Sequence, residues 1–239
     1  MNKPEVIVAL DVPNAEAVPA LLRQLPPEIR WLKVGLELYT AAGPDIVRTL
    51  AASGRQVFLD LKFHDIPRTV ANAITAAGGL GASLMTVHAV GGRAMLKAAA
   101  EAAAAFGERR PRLVAVTTLT SLNADDFKDL GLSRSVADQA LALTGLAIAS
   151  GIDGVVTSVH EAAALRTRFG TGPVLVTPGI RPAGADVGDQ KRVATPAVAV
   201  RAGASYLVVG RPIVEAPDPA QAARAILAEI DATWAGIKP

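Results

Sequence analysis

The 239 residues contain no cysteine. That excludes a disulfide framework, a Cys-ligated zinc site and thiol catalysis. A reducing compartment suits such a chain, and we expect it in the cytoplasm. Aromatic residues make up only 4%, so the core must be built from alanine, valine, leucine and isoleucine. No stretch approaches the ~18 uncharged apolar residues of a membrane span; the alanine-rich run after Gly92 is broken by Lys97 and Glu101. The first apolar run, VIVAL, is too short for a signal peptide, and Asp11 ends it. Neither sign of charge dominates: 24 basic residues face 22 acidic ones, for a net +2. There is no basic stripe with interleaved aromatics, and Arg109-Arg110 is the densest pair, so nucleic-acid binding is not expected. Three scattered histidines do not suggest a zinc site.

Hydrophobic residues are 51% of the chain, which rules out intrinsic disorder. They fall into eight short β-branched runs: VIVALD (6–11), WLKVGL (31–36), VFLDLK (57–62), SLMTVH (83–88), LVAVTTL (113–119), GVVTS (154–158), VLVTPG (174–179) and YLVVGR (206–211). Near-continuous apolarity suits strands covered on both faces, as in a parallel sheet. The intervals read as helices. After Asn14, a candidate N-cap, Val18, Leu21, Leu22 and Leu25 repeat at helical spacing. Pro67 suits the first turn of a helix that stops at Gly78-Gly79, and Asp218-Pro219 opens another. Eight strand–helix units over residues 1–239 predict an α/β fold, a single-domain (β/α)₈ TIM barrel. A doubly wound open sheet is the alternative, but the first turn, DVPNAE, lacks the glycines of that fold. Two longer inserts follow strand ends. SLNADDFKDLGLS (121–133) reads as a loop-like lid, and IRPAGADVGDQKR (180–192) follows the seventh strand.

Charges inside strands are the sharpest anomaly. In LDLKFHDIP (59–67), alternation puts Asp60 and Lys62 on one face, opposite Leu59 and Leu61. Leu59 and Leu61 would pack on helices, so the charged pair points into the barrel. Lys33 lies in the second strand and Asp11 ends the first. A cluster of Asp11, Lys33, Asp60 and Lys62 at one barrel mouth would alternate in sign. It could be a self-neutralised plug, but buried ion networks stabilise poorly against aliphatic packing, so a catalytic role is preferred. A lysine between carboxylates stays protonated and can deliver a proton to a carbanion. An aspartate beside a substrate carboxylate repels it until CO₂ leaves. Asp65 lies just beyond the strand, where it could also cap the helix at Pro67. His88 ends the fourth strand, where it could line the mouth, and His64 is expected behind the site.

Barrel enzymes often hold phosphate with the loops after strands seven and eight. Here these read TPGIRP and VGRPI. Gly179 and Gly210 allow close approach, Arg211 offers a fork matched to phosphate oxygens, and Arg181 and Gln190 could close over the anion.

Taken together, LDVP, WLKVG, DLKFHDIP, TTLTS, TPGIRP…GDQKR and VVGRPI resemble, in order from about Val6 to Ile213, the orotidine 5′-phosphate decarboxylase family. The resemblance implies a barrel enzyme that converts orotidine 5′-phosphate to UMP and CO₂ with no metal or organic cofactor, and that works as a homodimer. It further implies roles residue by residue. Asp11 and Lys33 would contact the ribose, Asp60 would sit beside the scissile carboxylate, and Lys62 would protonate C6. Asp65 and Thr69 would reach the partner's nucleotide, and Thr120 and Ser121 would meet the base. Gln190, Gly210 and Arg211 would hold the phosphate, with Arg181 in the same closing loop. Arg68 stands where many members carry asparagine. A magnesium-dependent decarboxylase of keto-sugar phosphates on the same scaffold typically has a glutamate on the second strand, where this chain has Lys33.

Overall fold

A computed structural model describes residues 1–182 and 193–237. Eight strands run in parallel: β1 Glu5–Ala9, β2 Trp31–Val34, β3 Gln56–Phe63, β4 Leu84–His88, β5 Arg112–Val116, β6 Gly154–Val156, β7 Val174–Thr177 and β8 Tyr206–Val209. Each pairs with the next, and β1 pairs with β8, so the sheet is a closed barrel. Closure excludes the open doubly wound sheet. Most strands end two residues earlier than the apolar runs predict. In the runs other than those of β3 and β4, the final residues have left the ladder and form the βα-loops, where the chemistry of a barrel is found.

The alternation of each strand divides the core in two. Residues pointing outward, among them Val8, Leu32, Leu59, Met85 and Leu207, pack under the helices. Those pointing inward form a second cluster: Ile7, Ala9, Trp31, Phe58, Leu84, Val114, Val176, Tyr206 and Val208. Trp31 and Tyr206 meet edge to face at 4.9 Å at the N-terminal end of the lumen. This apolar layer is the floor on which the site is built.

The helix predictions hold with small shifts. Asp218 caps the helix Pro219–Ala235 by accepting the Gln221 N–H, and Ala223, Ile226 and Ile230 are its buried stripe. Pro67 opens the helix Pro67–Gly78. Asn14 acts ahead of its helix Ala17–Gln24, taking the Ala17 N–H at 3.1 Å. The segment 121–133 departs from the loop-like expectation, since it contains the helix Ala124–Asp129. Asn123 accepts the N–H groups of Asp125 and Asp126 while the Asp126 carboxylate accepts the Asn123 N–H. This capping box lets a polar, acidic segment nucleate a short helix. Among the described residues no helix is long and apolar enough to cross a membrane.

Candidate active site

At the C-terminal end of the barrel lies a cavity of about 450 Å³. Its lining follows from counting in twos along the strands. The floor residues Ala9, Phe58, Val116, Val156, Val176 and Val208 are apolar; two residues above Ala9, Phe58 and Val208 stand Asp11, Asp60 and Gly210. Lys33 stands two residues above Trp31, and Lys62 two above Asp60. The predicted inward face of β3 is therefore observed.

The four charges meet. Lys33 Nζ lies 2.8 Å from Asp11 Oδ1 and 4.0 Å from Asp60 Oδ2. Lys62 Nζ lies 2.9 Å from Asp60 Oδ1. Asp60 thus stands between two ammonium groups, and charge alternates along Asp11, Lys33, Asp60 and Lys62. Lys33 is only 8% exposed, so each pair is held against a desolvation cost. Opposite these strands the wall is uncharged where it meets the floor, then carries Pro178, Gly179, Arg181, Gly210 and Arg211 at the rim. Gly179 has φ 76°, a left-handed turn that favours glycine. Gly210 lies against Ala9 and Asp11, with ordinary van der Waals room for a Cβ. Arg181 is buried, and its guanidinium donates to its neighbour's carbonyl, that of Ile180, at 3.0 Å. Thr120 is half-buried on the cavity wall.

Three predicted residues do not reach this cavity within their own chain. Asp65 and Thr69 are exposed on the loop and first turn after β3, and Ser121 is exposed beyond the wall. Asp65 accepts the Ile66 N–H at 2.6 Å rather than serving as the N-cap, which is Ile66. Gln190 lies outside the described residues. His88 does not line the cavity. It is half-buried beside His64, with ring centroids 5.4 Å apart, and its Nδ1 is buried without a hydrogen-bond partner among the described residues. Burial, then the charges of His64 and Lys62, hold the His88 pKa below its ordinary value, so the ring favours the neutral form.

The structure also brings in residues that sequence reasoning missed. Glu37 and Glu215 stand on the cavity rim, and Thr118 and Thr157 on its wall. Gly35 lies under Lys33. Thr86, wholly buried on β4, touches both Asp60 and the backbone of Lys62. A polar residue in SLMTVH with the parity of Leu84 was the available signal for it. Lys62 itself has φ 54°, a left-handed conformation that costs a non-glycine residue about 1–3 kcal/mol.

A half-buried carboxylate between two ammonium groups can repel an anionic substituent and set a proton donor beside it. The cationic glycine-bearing rim can grip a phosphate on the far side. Residues 4–226 match the model of the "Orotidine 5'-phosphate decarboxylase / HUMPS family". The chain is 57% identical over 229 residues to orotidine 5′-phosphate decarboxylase of Halorhodospira halophila, covering 96% of this chain and 97% of that one. Identity to the enzyme of the same name from Nitrosococcus oceani is 53% over 230 residues, covering 96% and 99%. The crystal structure of orotidine 5′-phosphate decarboxylase from Lactobacillus acidophilus superposes with a TM-score of 0.86 at 41% identity, covering 96% of this chain and all of that one.

Proposed function

The chain belongs to the orotidine 5′-phosphate decarboxylase / HUMPS family and is a carboxy-lyase of pyrimidine biosynthesis; from that premise we propose that it decarboxylates orotidine 5′-phosphate by direct protonation from Lys62, without metal or organic cofactor. The phosphate sits on Gly210 and Arg211, with Arg181 and Gln190 closing over it. The ribose hydroxyls meet Asp11 and Lys33, and Thr120 and Ser121 meet the base. The carboxylate of the substrate then lies beside Asp60.

In that pose the ground state holds two carboxylates in contact. The bond from C6 to the carboxylate carbon breaks, its electron pair stays on C6, and neutral CO₂ leaves. The repulsion with Asp60 ends in the same step, so it favours the transition state over the bound substrate. The Lys62 ammonium transfers a proton to C6 as charge develops there, giving UMP. Lys62 is left neutral and regains a proton from solvent. Lys33 helps hold Asp60 in place, its Nζ 4.0 Å from Asp60 Oδ2. The remote dianion stabilises a closed, water-poor site, so binding energy far from C6 serves the reaction.

The observation that carries this reading is Asp60 held between Lys33 and Lys62 on an apolar floor. Lys33 occupies with an ammonium the place from which a metal-dependent relative would present a carboxylate ligand. The experiment is direct: add orotidine 5′-phosphate to chelator-treated protein and follow the pyrimidine absorbance. Turnover unaffected by EDTA is expected. Turnover that requires added magnesium would overturn the mechanism.

The proposal includes a cytoplasmic homodimer in which Asp65 and Thr69 complete the partner's site. Its support is that both residues are exposed and turned from their own cavity, beside an Ile66 that is 67% exposed.

A further inference from the structure

Asp60 and Lys62 share a strand and a face, yet the pairing of β3 with β4 is irregular where they stand. Leu59 pairs with Met85 and Phe63 with Val87, so four steps on β3 match two on β4. Within the bulge, Lys62 adopts φ 54°. A β-bulge re-aims a side chain and takes backbone groups out of the ladder. A left-handed lysine persists only when its surroundings over-determine it.

Thr86 is the group that meets this need. It is fully buried on β4. Its Oγ1 accepts the Lys62 backbone N–H at 2.7 Å and lies 3.1 Å from Asp60 Oδ1. A hydroxyl has one proton to give. With the Lys62 N–H directed at its lone pair, the proton goes to the Asp60 carboxylate. The same Oδ1 accepts the Lys62 ammonium at 2.9 Å. The contacts close a ring: Lys62 N–H to Thr86, Thr86 O–H to Asp60, and Lys62 Nζ–H to Asp60.

We propose that Thr86 is a positioning residue for decarboxylation, its hydroxyl tying the main chain of Lys62 to the Asp60 carboxylate so that the ammonium is held at the reacting carbon. The inference rests on the reading of Lys62 as proton donor. Thr86 does not line the cavity, so it acts through two residues that do. The effect on rate follows from geometry. Lysine carries its charge on a flexible stem, and a misplacement of about 1 Å in a reacting group costs on the order of 10²-fold. Valine would keep the shape of Thr86 and remove the tie. Serine would keep the tie.

The test compares the full-length Thr86→Val, Thr86→Ser and Lys62→Ala proteins by steady-state kinetics, UMP binding and hydrogen exchange at the Lys62 amide. Thr86→Val is expected to lower kcat on the order of 10²-fold with KM and UMP affinity little changed, and to speed exchange at Lys62. Thr86→Ser is expected to recover most of the lost kcat. If the valine protein does not fold, Thr86→Ala takes its place with the same expected split. Wild-type kcat without the hydroxyl, an equal loss in the serine protein, or a change confined to KM would overturn the inference. Loss of activity in Lys62→Ala beside a normal Thr86→Val would overturn it alone. Retained activity in Lys62→Ala would overturn the donor reading and this inference together.

Discussion

Lys33 folds over the bare Cα of Gly35. A methyl group on that Cα would lie 2.7 Å from Lys33 Nζ and 3.3 Å from Asp11 Oδ1. The ammonium reaches both Asp11 and Asp60 because nothing stands where a side chain would normally begin.

Gly35→Ala tests this relationship. Gly35 has φ −96° and ψ −174°, a conformation open to alanine, so the backbone is not strained by the change. The lysine tip must move, and a flexible tip moves cheaply. We expect a loss in kcat/KM of roughly 10- to 100-fold, with a thermal midpoint close to wild type. Steady-state kinetics beside a melting curve check it; unchanged kcat/KM would show that the placement of Lys33 is not critical.

Lys62→Ala and Arg211→Ala should separate chemistry from grip. Removing the proton donor is expected to cost about 10²–10⁴-fold in kcat. Removing Arg211 takes away a charge-assisted contact of about 1.5–3 kcal/mol, which should appear as weaker UMP binding and, because the gripped phosphate stabilises the closed site, as a lower kcat/KM. The pyrimidine absorbance assay gives kcat and KM for both, and titration with UMP gives the affinities. A lysine variant with normal kcat would remove the proposed acid.

The homodimer makes a complementation experiment decisive. Lys62→Ala and Asp65→Ala chains are each expected to be nearly inactive. In a mixed dimer, the Asp65→Ala protomer keeps its own Lys62 and receives Asp65 from its partner. One intact site forms, and mixing the two proteins should restore activity. If mixing restores nothing while subunits demonstrably exchange, Asp65 does not serve the partner's site.

His88 predicts a pH dependence of stability. Its pKa is lowered in the fold from the ordinary 6.5, first by burial and then by His64 and Lys62. As pH falls below 6.5, the unfolded chain takes up the proton before the folded one does. The unfolded state then binds more protons, so stability falls with acidification, and it is fully present above the unfolded pKa. Urea unfolding from about pH 7.5 to about pH 5.5 should show a steeper decline for wild type than for His88→Gln. Parallel declines would assign the pH dependence to other groups.

Much of this was legible in the chain itself. Eight β-branched runs separated by helical intervals specify strands buried on both faces, and a period of two along LDLKF assigns Asp60 and Lys62 to one side. Those are local consequences of strand geometry, so they survive without coordinates. The β-strand ends were overextended because apolar residues continue into the loops at the barrel mouth, where burial comes from the site rather than from the sheet. The helix Ala124–Asp129 was missed because a polar composition conceals a capping box.

By itself, the order of residues determined the eight strand–helix units, the shared face of the charged pair, and the glycine–arginine loops after the seventh and eighth strands. Tertiary pairing of the strands decided the rest. Parallel pairing of β1 with β2 and of β2 with β3 brings Asp11, Lys33 and Asp60 within reach of one another, pairing of β3 with β4 sets Thr86 beside the bulge of β3, and closure of β8 on β1 selects the barrel and lays Gly210 against Asp11. Each of these contacts joins residues far apart in sequence, and their energies depend on distances of a few ångströms that no local periodicity encodes.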